Sequence, residues 1–211
     1  MEIFRDVTAY EGKVPSASVL CNVANTGSFR HFCSELVRFL KFHLASMPTG
    51  NYAEITQLLR LHVSELIQTQ RDHTQSTVLH HAAVGGQVDT LKLMLDFGVS
   101  PDLRNNFGST PLNIACASHQ REEAMKMIRL LLTAGANINS QNGEQVTPLM
   151  NAMYSKHEAA IIFLLDQPNI SLELSTQTGQ TALDIAKNLR LNTSIIELIE
   201  QKSHPSLAAT C

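Results

Sequence analysis

The sequence lacks the motifs by which many enzymes and membrane-bound proteins are recognised. Its 211 residues contain no G-x-x-x-x-G-K-[ST] phosphate loop, no G-x-S-x-G nucleophile elbow and no H-E-x-x-H zinc motif. Nine histidines are present, but no group of them has metal-ligand spacing. No apolar run is long enough to span a bilayer, and the first residues lack both parts of a signal peptide. We therefore expect no enzyme activity, no cofactor, no bound metal and no membrane insertion.

Paired cysteines and basic clusters are missing as well. The four cysteines, Cys21, Cys33, Cys116 and Cys211, show no paired short spacing, which indicates reduced thiols rather than a disulfide framework. Sixteen basic residues stand against 19 acidic ones, and no basic patch is interleaved with aromatic residues. Nucleic-acid binding is therefore not expected. We predict that the protein is a monomer in a reducing compartment, which is the cytoplasm and also the nucleus.

What the chain does contain is a repeated segment. The run Thr77–Ala83 returns in close copies that begin at Thr110, Thr147 and Thr181, at intervals of 33, 37 and 34 residues. A period near 33 that carries T-P-L-H-x-A is typical of ankyrin repeats. The chain resembles that family over residues 72–202. The resemblance implies an all-α solenoid of stacked helix-turn-helix repeats with hairpin loops.

The residues within each copy support helices independently of the resemblance. The leading threonine can cap a helix, and the prolines that follow two of the threonines suit the first helical position. A second helix with apolar residues three and four apart comes next, and Gly98 stands where a left-handed residue ends it. The resemblance implies that His80 ties helix to hairpin. We assign structural roles to the motif residues Thr77, His80, Thr110, Pro111, Gly135, Thr147, Pro148 and Thr181.

Three departures from the family pattern carry expectations of their own. Gln75 and Gln145 stand where the family usually has a hairpin glycine, which puts the tightness of those two turns in question. The second repeat has four extra residues around 119–123, between its predicted helices. They predict a longer inter-helix loop or an extra helical turn, and a partner-specific contact is the alternative. His157 is expected at the surface or half-buried.

The N-terminal third has no repeat motif. Two predicted helices, 28–46 and one that starts near Asn51, are joined by a short loop that contains Pro48 and Gly50. They predict a helical cap that closes the apolar face of the first repeat, or separate docking helices. The expected organisation is an irregular segment 1–27, helices within 28–71, the ankyrin array 72–202 with repeats at about 72–104, 105–141, 142–174 and 175–202, and a tail 203–211.

Ankyrin arrays mostly bind other proteins, so the resemblance implies a non-catalytic adaptor, inhibitor or substrate-recognition scaffold. The family's usual binding surface is the concave face, made by hairpin tips and exposed positions of the first helices. Phe107 and Tyr154 stand out because aromatic residues dominate interface energetics. The alternative for Phe107 is a ring that folds back on its own hairpin. The candidate partner-binding residues are His73, Thr74, His81, Val84, Asn106, Phe107, Ser109, Ser118, Glu144, Tyr154, Lys156 and Gln177.

Two other functions stay open at this point. The first is an ankyrin effector secreted by an intracellular bacterium or encoded by a virus, which would act in the host cytosol and would need a translocation signal. The second is an enzyme with its active site in residues 1–70. It is disfavoured because His31 and Cys33 are two apart on a predicted helix and therefore point to different faces.

Overall fold

The computed structural model describes residues 71–203 of the protein. The predictions for residues 1–70, including the helical cap, and for the tail from residue 204 onward lie outside the described residues. Between residues 71 and 203 the regular structure is α-helical, apart from one isolated β-bridge between Ser175 and Thr181. The helices are α1 Val78–Gly85, α2 Val88–Asp96, α3 Pro111–Ala117, α4 Arg121–Thr133, α5 Pro148–Tyr154, α6 Glu158–Leu165, α7 Ala182–Asn188 and α8 Thr193–Ser203.

The eight helices of this region form two layers. The first helices of the pairs, α1, α3, α5 and α7, contact one another in chain order, and the second helices, α2, α4, α6 and α8, do the same. Each helix also contacts the other member of its own pair. Because contacts run between neighbouring pairs, the stability of one pair depends on the next, as in other repeat arrays.

The first helices begin at the repeated threonine and can lie close together. The side chains of Thr110, Thr147 and Thr181 each accept a hydrogen bond from a backbone N–H three residues on, which caps the helix. Pro111 and Pro148 occupy the first helical positions. One alanine recurs at the same position of every first helix and is buried in each case: Ala82, Ala115, Ala152 and Ala186. This small side chain lets neighbouring helices approach closely.

The second helices contribute a stripe of large apolar side chains to the core. Each buried leucine or isoleucine in this layer contributes about 1.5–3 kcal/mol through burial of its apolar surface. The stripe follows the predicted spacing of three and four residues. Its buried members are Leu91 and Met94 in α2, Met127, Ile128 and Leu131 in α4, Ile161, Leu164 and Leu165 in α6, and Ile195 and Ile199 in α8.

All four hairpin turns have the same backbone geometry, whether glutamine or glycine is the left-handed residue. Gln75 and Gln145 adopt φ values of 58° and 61°, in the left-handed region that Gly108 and Gly179 occupy in the other two hairpins. Each of the four donates its N–H to a carbonyl three residues earlier at 2.8–2.9 Å. The turns at the two glutamines are therefore as tight as those at glycine, at the steric cost of a left-handed side chain.

A ladder of long polar side chains joins successive hairpins. Arg71 donates to the backbone carbonyl of Arg104, Arg104 to that of Gln141, and Gln141 to that of Ser175. Each of the three donors also bonds a carbonyl four residues on in its own hairpin. Each of these side chains thus bonds to its own hairpin turn and also to the hairpin of the next repeat.

The four extra residues of the second repeat form an additional turn of α4. This helix has 13 residues, against nine in α2 and eight in α6. Helices α2, α4 and α6 all begin eleven residues after the repeated threonine, and α2 and α4 close with equivalent backbone bonds, so the extra residues lengthen α4 between its two ends. The longer loop, one of the two predicted forms, is not present. The physical reason is that Arg121–Thr133 contains no glycine or proline and carries two glutamates in its first turn, which favour a helix start.

Candidate functional site

The hairpin tips form a continuous row along the array. The N–H of Asn106 donates to the carbonyl of Thr74 at 2.9 Å, and the N–H of Gly143 donates to that of Phe107 at 2.8 Å. The N–H of Gln177 donates to the carbonyl of Glu144 at 2.9 Å. These bonds link four hairpin tips, residues 73–74, 106–107, 143–144 and 177–178, which we call the hairpin row. The structure thereby brings six of the candidate residues together, namely His73, Thr74, Asn106, Phe107, Glu144 and Gln177.

Phe107 is the most exposed large apolar side chain among the described residues. The residue is 65% exposed, so it does not fold back on its own hairpin. Its backbone is fixed, because its N–H donates to the Asn105 side chain at 3.0 Å and its carbonyl accepts from Gly143. An exposed aromatic ring on an immobilised backbone loses little further freedom when a partner covers it.

The candidate residues on the first helices of the repeats are His81, Val84 and Tyr154, and they lie on the side of the helix that faces the hairpins. In the first repeat, Nε2 of His81 lies 2.9 Å from Oδ2 of Asp72, a hairpin residue. Val84 is three residues further along α1, on the same side of the helix, and is 53% exposed. Tyr154 holds the equivalent position of α5 and is 47% exposed. The hairpin row therefore has apolar neighbours in the first and third repeats.

Asp72 is held as a carboxylate beside His81. Burial acts to raise its pKa, but hydrogen bonds from the Thr74 hydroxyl and from the N–H groups of Ser76 and Thr74 outweigh that effect, and His81 also lowers it. The net result is a pKa of about 2. At neutral pH this end of the surface therefore presents an anion that is already hydrogen-bonded within its own turn.

Three candidate residues lie away from the hairpin row. Ser109 is half-buried, and its N–H donates to the Asn105 side chain within the turn. Ser118 sits between α3 and α4, where its hydroxyl oxygen accepts from the N–H of Gln120 at 3.2 Å. Lys156 sits between α5 and α6 at φ 52°, and its carbonyl accepts from Arg121 at 2.8 Å. These contacts place the last two at the turns between helices.

The motif residues form buried connections between repeats. Nδ1 of His80 accepts from the N–H of Thr77 at 3.1 Å, and its Nε2 lies 2.9 Å from the carbonyl of Ser109. Asn113 holds the same position in the second repeat, where it accepts from Thr110 and donates to the carbonyl of Ser140. Burial lowers the pKa of His80, which keeps the imidazole neutral near pH 7.

His157 differs from the surface or half-buried position expected for it. Its side chain is only 2% exposed, and it caps α6 by accepting from the N–H of Ala160 at 3.4 Å. Its Nε2 lies 3.2 Å from the carbonyl of Arg121. The expectation was wrong because the ring caps α6 and its other nitrogen contacts the start of α4 in the preceding repeat. No sequence motif marks such a contact between repeats.

The described residues offer neither a cluster of metal ligands nor an accessible thiol. No group of three or more His, Cys, Asp or Glu in this region is arranged to hold a metal ion. Cys116 is buried, and burial raises the pKa of its thiol, so it is a poor nucleophile. None of the helices described is long and apolar enough to cross a membrane.

Comparison with known proteins assigns the repeat array. The sequence model of ankyrin repeats, described as three copies, matches residues 42–142 and 120–207. The chain belongs to the ankyrin-repeat family. The first match begins within the segment 28–71, for which a helical cap or docking helices remain a prediction. An ankyrin array implies a protein-interaction module, and the family is generally non-enzymatic.

Individual relatives of this ankyrin protein are similar over the array and much longer than it. The B-cell lymphoma 3 protein homolog of Mus musculus is 27% identical over 76% of this chain and 37% of its own length. Rabankyrin-5 of Mus musculus is 33% identical over 46% of this chain and 8% of its own. The transient receptor potential cation channel subfamily A member 1 homolog of Caenorhabditis elegans is 24% identical over 66% of this chain and 14% of its own length. The chain thus spans 37% or less of these relatives, which share the repeats with it.

Proposed function

We propose that this protein is a non-catalytic interaction module that binds a protein partner through the hairpin row and the adjoining first-helix positions. The observation that carries the proposal is the ring of Phe107, exposed on a backbone that hydrogen bonds fix on both sides. Aromatic side chains that enter a partner's pocket commonly contribute about 2 kcal/mol or more to binding. Val84 and Tyr154 add apolar area beside the row.

The surface suits a partner that makes polar and apolar contacts rather than one held mainly by charge. Glu144 is the only carboxylate of the hairpin row, and the row contains no lysine or arginine. The backbone hydrogen bonds between the hairpin tips fix the conformation of the hairpin row in the unbound protein. Binding to such a surface costs less conformational entropy than ordering loops would.

The role we infer is that of an adaptor, inhibitor or substrate-recognition scaffold acting as a monomer in the cytoplasm or nucleus. The reduced, buried thiol of Cys116 is compatible with a reducing compartment. An enzyme activity in residues 1–70 receives no support from any motif in the sequence. We therefore attribute function to occlusion or bridging of bound proteins rather than to turnover.

The proposal is tested by comparing captured partners of matched variants. The double variant Phe107→Ala/Tyr154→Ala removes both aromatic rings of the surface, and Ile162→Ala removes a similarly exposed apolar side chain from α6. Circular dichroism and thermal unfolding establish that each variant is folded. We expect a protein captured by wild type and Ile162→Ala to be lost from the double variant. Full retention by the folded double variant would contradict the proposal.

A further inference from the structure

A groove of about 770 Å³ lies between the second helices of the second and third repeats. One wall is α4, and the other is the turn before α6 with the first residues of that helix. No residue of the hairpin row lines it, so it is separate from the surface discussed above. We call it the cationic groove and define it by Arg121, Met125, Lys126, Arg129, Lys156 and Ala159.

The charged lining of the groove is predominantly positive. Two carboxylates, Glu122 and Glu158, accompany four cationic side chains there. Both glutamates sit in the first turn of a helix, where the N-terminal end of the helix dipole stabilises them. Within residues 71–203 no ion pair joins any of these six groups. In a chain of net charge −3, four cations against two carboxylates are a local excess of positive charge.

Two of the cations are held in place by the fold. Arg121 donates from Nη1 to the carbonyl of Lys156 at 2.8 Å and from Nη2 to that of Ser155 at 3.4 Å. The Cζ atom of Arg129 lies 4.2 Å from the ring centroid of Phe163. A guanidinium has five N–H donors, so both arginines keep donors for a ligand. Because they are already ordered, an acidic ligand loses less entropy in binding them than in binding mobile side chains.

The first turn of α4 forms one end of the groove wall. Arg121 and Glu122 belong to this turn, and α4 is longer than α2 or α6. The buried ring of His157 contacts the carbonyl of Arg121 and so fixes that turn against α6. The apolar side chains of Met125 and Ala159 lie among the charges. The start of α4 and the turn before α6 therefore together enclose this end of the groove.

We propose that the cationic groove binds an acidic segment of a partner protein, whose carboxylates meet the guanidinium and ammonium groups and whose apolar side chains rest on Met125 and Ala159. Carboxylates are the natural ligands of such groups, and guanidinium groups bind them with two parallel hydrogen bonds. A nucleic acid binds through larger and more strongly basic surfaces than this groove, so a short protein segment with few carboxylates fits its size and charge better. The groove thus adds a second contact surface that shares no residue with the hairpin row.

The test uses peptides of defined charge and one matched pair of variants. The probes are short fluorescein-labelled peptides of Glu, Leu and Ala with different carboxylate spacings, each paired with a peptide in which Gln replaces Glu. Lys126→Glu reverses a groove charge at an exposed residue that makes no hydrogen bond or ion pair in the described region. Lys92→Glu makes the same change at an exposed position of α2 outside the groove.

We expect at least one acidic peptide to bind wild type and Lys92→Glu in fluorescence anisotropy, and Lys126→Glu to weaken its binding by about tenfold or more. Added salt should weaken the binding as well. No binding by any acidic peptide, equal binding of the Gln peptides, equal losses in the two variants, or tighter binding of a single-stranded DNA oligonucleotide would each overturn the proposal. Phe107→Ala should bind the peptide as wild type does, so failure of the hairpin row and failure of the groove are distinguishable.

Discussion

Nε2 of His80 lies 2.9 Å from the carbonyl oxygen of Ser109, which belongs to the hairpin of the next repeat. On the other side of the ring, Nδ1 accepts from the backbone N–H of Thr77, so Nε2 carries the proton and donates to Ser109. Burial lowers the pKa of His80 below its ordinary value of 6.5. A neutral imidazole therefore joins the first repeat to the second.

This arrangement predicts that stability declines as the solution becomes acidic. In the unfolded chain His80 takes up a proton near pH 6.5, whereas in the folded chain it does so only at lower pH. The unfolded state therefore binds more protons below about pH 6.5, and the free energy of unfolding should fall there. Urea unfolding at a series of pH values between about 7.5 and 5 measures this slope.

The variant His80→Asn separates the titration from the hydrogen bonds. Asn113 makes the corresponding bonds in the second repeat, so asparagine should keep the connection without titrating. We expect a smaller pH slope than in wild type. Burial also lowers the pKa of His157, so His80→Asn/His157→Asn should have the smallest slope. An unchanged slope in the double variant would show that neither ring titrates as described.

Two left-handed glycines should respond differently to the same substitution. Gly108 and Gly135 have φ values of 68° and 86°. A Cβ at Gly135 meets nothing within 4 Å, whereas one at Gly108 would lie 2.8 Å from the backbone nitrogen of Gly143. We expect Gly135→Ala to cost about 1–2 kcal/mol from backbone strain alone, and Gly108→Ala to cost clearly more because the bond between the tips must shift. Chemical unfolding of both variants measures the difference, and equal costs would contradict the geometry of the hairpin row.

The sequence predicts the repeats because the signals that form them are local. Helix starts follow from the repeated threonine and from Pro111 and Pro148, and helix ends follow from Gly98 and Gly135. In a stacked array each unit touches only its neighbours, so these short patterns decide most of the fold. The exposure of Phe107 also agrees with its place in a turn next to Gly108.

Other features could not be read from the sequence because they depend on contacts between repeats. The four extra residues fit a loop or a helix equally well by count, and only the structure shows that they extend α4. The cationic groove joins Arg121 to Lys156, which are 35 residues apart and share no motif. His157 gave no sign of burial for the same reason. Its ring is held by the carbonyl of Arg121 in the preceding repeat.

The left-handed glutamine at position 145 should be replaceable by glycine without loss of stability. At φ 61° the Gln145 side chain is sterically strained, and glycine would relieve this strain. The opposing effect is that glycine has more conformational freedom in the unfolded chain, which reduces the gain in stability. We expect Gln145→Gly to raise the free energy of unfolding by up to about 1 kcal/mol. Among residues 71–203 its side chain makes no hydrogen bond, and urea unfolding provides the measurement. A loss of more than about 1 kcal/mol would show that the glutamine side chain stabilises the turn.

Cys116 should resist thiol reagents as long as the array is folded. The side chain is buried, and burial raises the pKa of its thiol, so the reactive thiolate is scarce. Iodoacetamide labelling followed by peptide mass spectrometry should modify this residue only as urea unfolds the chain. Rapid modification of Cys116 in the folded protein would contradict its burial in α3.

The central claim, that the hairpin row binds a protein, is tested most directly by site-specific photo-crosslinking in cells that produce this protein. p-Benzoylphenylalanine replaces Phe107 in one sample and Ile162, which is 51% exposed on α6, in the other. We predict that illumination yields a discrete crosslinked protein at position 107, absent at position 162 and suppressed by excess unlabelled wild-type protein but not by Phe107→Ala/Tyr154→Ala. The same adduct at both positions, or none at position 107, would contradict the assignment of the binding surface.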